Sequence, residues 1–269
     1  MTDPQIEEFK PLVMRRLEPQ TKVVVVMSGG LDSTCLLYDM MFQFTPANVK
    51  ALSVDYGQRH AKEITAAADI CEMAGVEHQI ADLRGIRHLI NNSSQTDPSI
   101  PVPQGHYADD SMKVTVVPNR NMILLAVAIG FAVNEEFNAV AFGAHSGDHA
   151  IYPDCRPEFA SAMNTASLLA NYQRVEILRP FINLTKADIV CLGDALGVPM
   201  GMTWSCYEGE DIHCGKCGTC VERREAFKLA DLDQLGVVAH RQGRIAADNI
   251  FGRSEERRVG KECLRLCRS

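Results

Sequence analysis

The chain has 269 residues, 46% of them hydrophobic, and carries a net charge of −7. This length suffices for a full hydrophobic core, and the negative charge argues against a protein that wraps a nucleic-acid backbone. The longest apolar run, residues 122–133, is too short to span a bilayer, and the first residues lack the apolar segment of a secretory signal. With ten cysteines, these features predict a chain that works in a reducing compartment, the cytoplasm.

Short apolar runs alternate with helical patterns along most of the chain. The runs predict five strands buried on both faces, at Val23–Met27, Val49–Val54, Val76–Ala81, Ala139–Phe142 and Val175–Leu178. Helical patterns cover Ser33–Phe44, Lys62–Ala74, Asn121–Asn134, Arg156–Asn171 and 186–196, the last opened by a capping box at Thr185–Asp188. The polar stretch Asn91–Lys113 predicts a long loop, either mobile or a lid. The alternation predicts an α/β fold with a doubly wound, parallel five-stranded sheet.

The turn after the first strand is the strongest functional motif. It runs Ser28-Gly29-Gly30-Leu31-Asp32-Ser33-Thr34, so a glycine turn leads directly into a helix N-terminus. Such a turn can hold pyrophosphate, because its backbone N–H groups are unpaired and the helix dipole favours an anion. Asp32 would then bind a Mg²⁺ ion that bridges the phosphates. A Walker A loop and a dinucleotide Gly-x-Gly-x-x-Gly loop both fail to match, whereas an ordinary βα turn stays open.

A second motif lies near the end of the chain. It contains four cysteines with C-x7-C-x2-C-x2-C spacing, Cys206, Cys214, Cys217 and Cys220. Four thiolates suit a closed, tetrahedral structural Zn²⁺ site. An iron–sulfur cluster is the alternative, but the fourth Cys-Pro of ferredoxin runs is missing here. His213 is beside Cys214 and could replace one ligand.

The last residues, 253–269, resemble the translation of a DNA-sequencing adapter, and we expect them to be a non-native tail. They hold six basic and three acidic residues, so removing them changes the net charge from −7 to −10. We divide the chain into an α/β domain at 1–200 that contains the glycine turn, a C-terminal lobe at 201–252 that we expect to bind zinc, and this tail at 253–269.

Together the motifs resemble the 7-cyano-7-deazaguanine synthase family, within the ATP pyrophosphatase superfamily. The matching stretches are Ser28–Ser33, Asp55-Tyr-Gly-Gln-Arg-His60, Val117-Pro-Asn-Arg-Asn121, Tyr152-Pro-Asp-Cys-Arg-Pro-Glu-Phe159, Thr203-Trp-Ser-Cys-Tyr207, Cys214–Cys220 and Arg223. The resemblance implies an adenine nucleotide alpha hydrolase-like fold with a small C-terminal zinc lobe, and a homodimer. It implies a ligase that uses ATP and Mg²⁺ to convert 7-carboxy-7-deazaguanine and ammonia to the nitrile, with no direct nucleic-acid binding.

The resemblance also implies roles for individual residues. The resemblance assigns catalysis to Ser28, Asp32, Ser33 and Lys186. Lys186 would neutralise the adenylate phosphate, although an ordinary lysine in the first turn of a helix is an equal alternative. Nucleotide binding falls to residues 28–34 (Ser28, Gly29, Gly30, Leu31, Asp32, Ser33, Thr34) and to Val54, Asp55, Tyr56, Arg120 and Asn121. Candidates for the deazapurine are Asp148, His149, Asp154 and Arg156, because carboxylates accept from a guanine-like amine and arginine pairs with a carboxylate.

Two other functions fit parts of the sequence. One is a tRNA sulfur-transferase of the same superfamily, which would use cysteines for an iron–sulfur cluster and present a basic face to tRNA. The other is a zinc-knuckle binding module on a catalytically inactive nucleotide-binding fold. The negative charge disfavours the first, and the intact Asp32 and Ser33 disfavour the second.

Overall fold

The computed structural model describes residues 20–208 and 212–232. These residues form a five-stranded sheet with strands β1 (Val23–Val26), β2 (Val49–Asp55), β3 (Glu77–Asp82), β4 (Ala139–Ala141) and β5 (Glu176–Leu178). The spatial order is β3-β2-β1-β4-β5, and every pair is parallel. The chain thus moves outward in both directions from β1, which confirms the doubly wound parallel sheet. Its switch point lies between β1 and β4, where ligands bind in folds of this type.

Six α-helices occur among the described residues. They are α1 (Leu31–Phe44), α2 (Lys62–Ala74), α3 (Arg120–Asn134), α4 (Pro157–Ala170), α5 (Lys186–Leu196) and α6 (Gly218–Leu229). The bounds predicted for α1 to α5 agree with these within two residues, whereas α6 was not predicted. The capping box of α5 is present, with the Thr185 side chain accepting from the Asp188 N–H and Gly197 ending the helix in the left-handed conformation.

The helices cover the sheet on both faces. Side chains of β1 alternate between two cores: Val23 and Val25 pack with α1, α2, α5 and α6, whereas Val24 packs with α3 and α4. All three valines are fully buried, as expected for the central strand of a covered parallel sheet. None of the helices that the structure describes is long and apolar enough to cross a membrane.

One strand differs from its prediction. The run Val76–Ala81 was expected to be buried on both faces, but β3 is mostly exposed and its Ile80 is 50% exposed. The reason is its position: among the described strands, β3 is at the edge of the sheet and pairs with β2 alone. A short apolar run does not distinguish an edge strand from a central one.

The predicted long loop at Asn91–Lys113 packs closely against the fold. Ser93, Ser94, Gln95 and Thr96 are almost fully buried, and the Thr96 hydroxyl donates to the carbonyl of Ile90 at 2.9 Å. The segment ends in a 3₁₀ turn at Asp110–Thr115. Hydrogen bonds to the backbone therefore make it possible to bury this polar stretch.

The described part of the C-terminal region packs onto the same α/β unit. Helix α6 places Ala226 and Phe227 in the core shared with α1 and α5. The division at residue 200 stays a prediction. The prediction of a non-native tail at 253–269 falls outside the described residues.

Candidate active site

The turn between β1 and α1 has the geometry of an anion cradle. Gly29 adopts a φ of 83°, and a Cβ at this position would collide with the backbone carbonyl of Glu63, so only glycine fits. The Ser28 hydroxyl lies 3.0 Å from that of Ser33 and accepts from the Gly30 N–H at 3.2 Å. Residue 30 caps α1 without a side-chain hydrogen bond, which leaves the helix N-terminus open to an anion.

Beside the turn lies a buried charge pair that joins α1 to α5. The Lys186 ammonium donates to Asp32 Oδ2 at 2.5 Å. Burial opposes ionisation of Asp32, but the nearby Lys186 and His145 outweigh it and lower the pKa of Asp32. Burial likewise disfavours a charged lysine, but Asp32 and Glu222 outweigh it and raise the pKa of Lys186. Both side chains are therefore charged at neutral pH.

Asp32 also satisfies the chemistry of a cation ligand. Its second oxygen, Oδ1, is buried and has no hydrogen-bond partner among the described residues. A buried carboxylate oxygen without a donor needs one, or a cation, to offset its desolvation. An unpaired carboxylate oxygen next to an anion-binding turn is a suitable ligand for a Mg²⁺ ion that is bound to phosphates.

The cavity above the turn brings together most of the predicted nucleotide residues. Those that line it are Ser28, Gly30, Leu31, Asp32, Ser33, Val54, Tyr56, Arg120, Asn121 and Lys186. Gly29 does not line the cavity, and its α-carbon faces the backbone of Glu63. Thr34 is fully buried, and its hydroxyl donates to the Gly30 carbonyl at 2.7 Å. Asp55 accepts from the Gly57 N–H at 2.9 Å and so shapes the turn after β2.

The four predicted deazapurine residues lie in different surroundings. Asp148 lines the cavity, where its Oδ1 accepts from the Tyr107 hydroxyl at 3.0 Å. Asp154 accepts from the Asn121 N–H at 2.9 Å and thus caps helix α3. Arg156 is exposed and donates through Nε to the carbonyl of His149 at 2.9 Å. Of the four predicted deazapurine residues, Asp148 is therefore the one that lines the cavity.

The structure adds residues that our sequence analysis missed. Tyr107 reaches the cavity from the long segment before α3, and burial, together with Asp148, raises the pKa of its hydroxyl, which keeps it a donor. Glu222 reaches the cavity from α6, and its Oε2 lies 3.4 Å from Lys186 Nζ. No sequence signal marks either residue, because tertiary packing alone turns them toward the cavity.

The four cysteines of the second motif converge. Their Sγ atoms all lie within 4.8 Å of one another, a spacing that one tetrahedral ion can bridge. The N–H of Cys214 donates to Cys206 Sγ at 3.3 Å, and the N–H of Cys217 donates to Cys214 Sγ at 3.3 Å. Such bonds stabilise thiolates, so the cluster can hold a metal. The ring of His213 packs edge-on against Trp204, outside this set of four ligands.

The sequence matches a known protein family along most of its length. The family described as "Queuosine biosynthesis protein QueC" matches residues 22–231. A 7-cyano-7-deazaguanine synthase from Pseudoalteromonas translucida is 53% identical over 211 residues, covering 78% of this chain and 95% of the relative. One from Psychromonas ingrahamii is 55% identical over 207 residues, covering 77% and 92%. The chain belongs to this queuosine biosynthesis family.

Solved structures are more distant. A U34-tRNA thiolase, NcsA, from Methanococcus maripaludis aligns with a TM-score of 0.47 and 16% identity, covering 96% of this chain and 86% of that one. This likeness is too weak to assign a function.

Proposed function

We propose that this chain is an ATP-dependent ligase that converts 7-carboxy-7-deazaguanine and ammonia to 7-cyano-7-deazaguanine. The main support for this proposal is that the chain belongs to the family and has an open glycine turn. Asp32 of this turn and Lys186 of α5 form an ion pair and line the same cavity. Queuosine biosynthesis is the pathway in which the family takes part. The relatives named above are synthases of this nitrile.

The chemistry explains why ATP is needed twice. A carboxylate is a poor electrophile, so its oxygen first displaces pyrophosphate from ATP and becomes an acyl adenylate. Ammonia then attacks the carbonyl carbon, AMP leaves and a primary amide forms. The amide oxygen attacks a second ATP, pyrophosphate leaves, and loss of AMP and a proton gives the nitrile. Each cycle therefore consumes two ATP and releases two AMP and two pyrophosphates.

The residues around the glycine turn supply the stabilisation that these steps require. The N–H groups and hydroxyls of residues 28–34 would hold the departing pyrophosphate, where developing charge is largest. Lys186 would neutralise the adenylate phosphate. Mg²⁺, held by Asp32, would supply charge neutralisation on the phosphates. The adenine would contact Val54, Asp55 and Tyr56, with Arg120 and Asn121 at phosphate or ribose.

The other face of the cavity would hold the deazapurine. Asp148 is the best supported of the candidates, because its carboxylate lines the cavity and accepts from Tyr107 at 3.0 Å. A carboxylate there can accept from a guanine-like amine. The other candidates, His149, Asp154 and Arg156, follow Asp148 closely in the chain but do not line the cavity.

The cysteine cluster would hold a structural Zn²⁺ ion. Four sulfur ligands fill a tetrahedral site and leave no position for a substrate, which favours a structural role over a catalytic one.

We also propose that the protein is a cytoplasmic homodimer. All eight cysteines in the described ranges are free, as a reducing compartment requires. Light scattering coupled to size exclusion would test the dimer.

One assay tests the reaction. Purified protein is incubated with ATP, Mg²⁺, ammonium and 7-carboxy-7-deazaguanine, and we expect mass spectrometry to detect the nitrile together with AMP and pyrophosphate. The double change Ser28→Ala with Asp32→Ala should lower turnover at least about a thousandfold, because the cradle and its carboxylate are lost. Formation of ADP, or wild-type turnover by this variant, would contradict the proposal.

A matched control uses the same two substitutions away from the cavity. Asp110 is 89% exposed and Ser111 follows it on the surface. Asp110→Ala with Ser111→Ala should leave turnover unchanged.

A further inference from the structure

Helix α6 connects the cysteine cluster to the active-site cavity. It begins at Gly218, between the last two cysteines of the cluster, and Glu222 follows Cys220 by two residues. The Glu222 side chain is only 12% exposed and lines the cavity. A residue whose position depends on the cysteine cluster thus reaches the nucleotide site.

Glu222 shares a lysine with the glycine turn. Lys186 Nζ lies 2.5 Å from Asp32 Oδ2 and 3.4 Å from Glu222 Oε2. Two carboxylates from different helices, α1 and α6, therefore hold one ammonium that α5 presents. Lysine is a point charge on a flexible stem, so neighbouring groups decide where its charge lies.

The surroundings leave space for this carboxylate. A Cβ at Gly147 would lie 3.1 Å from Glu222 Oε1, and glycine avoids that close approach. His145 Nε2 lies 4.0 Å from the same oxygen. The position of Glu222 is thus defined by packing on its far side as well as by Lys186.

A second contact ties the cysteine cluster to the glycine turn independently. The N–H of Trp204 donates to the Gly29 carbonyl at 2.9 Å, and its indole Nε1 donates to the Cys206 carbonyl at 2.9 Å. Trp204 therefore links a cysteine of the cluster to the turn through two hydrogen bonds.

We propose that Glu222 is a positioning residue that holds Lys186 in the cavity. Helix α6, which begins at the cysteine cluster, would thereby contribute a residue to the active site. This proposal rests on the proposed function, in which Lys186 neutralises the adenylate phosphate. Besides Asp32, Glu222 is the carboxylate among the described residues that forms an ion pair with Lys186. Glu222 acts only through the lysine and contacts no reacting atom.

The direct test measures Lys186 itself in the substrate-free protein. The rate at which an acetylating reagent modifies Lys186 is followed by mass spectrometry in the wild type and in Glu222→Gln. We expect about fivefold faster modification in the variant, because one of the two carboxylates that restrain the amine is gone. Glu225→Gln is the matched control: Glu225 lies on the same helix, is 47% exposed and pairs with His106 on the surface. It should leave the rate unchanged.

The kinetic test asks whether Glu222 acts through Lys186. Glu222→Gln should lower kcat about tenfold and change the KM for ATP less than about twofold, since a misplaced charge affects the chemical step. In a Lys186→Met background, Glu222→Gln should have no further effect. Zinc content and the thermal midpoint should equal those of the wild type.

Several outcomes would overturn the proposal. These are unchanged acetylation of Lys186, losses that multiply in the double variant, or loss of zinc from Glu222→Gln, which would make the residue structural. Failure of the proposed function is separate. In that case the wild type makes no nitrile, whereas the acetylation rates still decide the role of Glu222.

Discussion

Asp39 is a carboxylate that the fold buries away from the cavity. It lies on α1, is 4% exposed and accepts from Gln43 Nε2 at 3.0 and 2.9 Å. Burial raises the pKa of Asp39 to about 6 from an ordinary value of 3.8. Between these pH values the unfolded chain loses the proton and the folded chain keeps it. The contribution of Asp39 to stability is therefore most favourable below pH 4 and falls as pH rises toward 6.

Replacing this carboxylate by an amide removes the cost of its ionisation. We expect Asp39→Asn to stabilise the protein by up to about 3 kcal/mol at pH 8 and by about half as much at pH 5. Urea unfolding at the two pH values measures the difference. The exposed Asp69→Asn on α2 should change stability by less than about 0.5 kcal/mol at both. A variant less stable than the wild type at pH 8 would contradict this account.

At the same scale, the cavity-lining residues that the sequence predicted lie in local motifs at strand ends and helix starts. Ser28, Asp32 and Ser33 are examples, because a glycine turn between a strand and a helix is recognisable in the sequence. Glu222 and Tyr107 were missed, since nothing local tells which way a side chain on α6 or in a long segment will point. The distinction is physical: local motifs encode backbone geometry, whereas the far wall of a cavity depends on packing between distant elements.

At the scale of the element, hydrophobic period and caps located the helices and strands well. Lys62–Ala74 was predicted at its observed bounds, and Gly75 ends it in the left-handed conformation. The apolar runs do not indicate the order of the strands in the sheet. The edge strand β3 was therefore expected to be buried. Order depends on which helices cover which strand, and that is not a local property.

Helix α6 offers a prediction at the element scale. Its first turn contains Cys220 and its N-cap is Cys217, so the metal would fix the start of a helix that places Phe227 in the core. Cys217→Ser should abolish bound zinc and destabilise the protein by several kcal/mol, because isolated zinc units gain on the order of 10 kcal/mol from the metal. Elemental analysis and thermal unfolding measure both effects.

A buried cysteine outside the cluster provides the comparison for Cys217→Ser. Cys71 on α2 is 1% exposed and belongs to the main core. Cys71→Ser should cost stability through burial of a hydroxyl but keep its zinc. A soluble, active Cys217→Ser protein without metal would show that the cluster has no structural role.

At the scale of the whole molecule, charge separates the proposed ligase from a tRNA-modifying enzyme. The net charge is −7, and two arginines of the described region, Arg84 and Arg87, are engaged in local contacts. Arg84 pairs with Asp82 at 2.5 Å, and Arg87 donates to the Thr96 carbonyl at 2.6 and 2.8 Å. A tRNA-binding surface needs several unpaired cations aligned with phosphates, because release of condensed counterions supplies most of the affinity.

We therefore expect the protein to bind no tRNA at concentrations at which it turns over its small substrates. In a filter-binding assay at about 0.1 M salt, a tRNA transcript should show no retention up to about 10 µM protein, whereas non-specific binders of nucleic acid reach Kd values of about 10⁻⁴–10⁻⁶ M. A positively charged protein of similar size serves as the control for retention. The decisive result is the salt dependence: micromolar binding that weakens steeply as salt rises would mean several phosphate contacts. That outcome would support the sulfur-transferase interpretation, because a ligase that acts only on small molecules does not need contacts with tRNA phosphates.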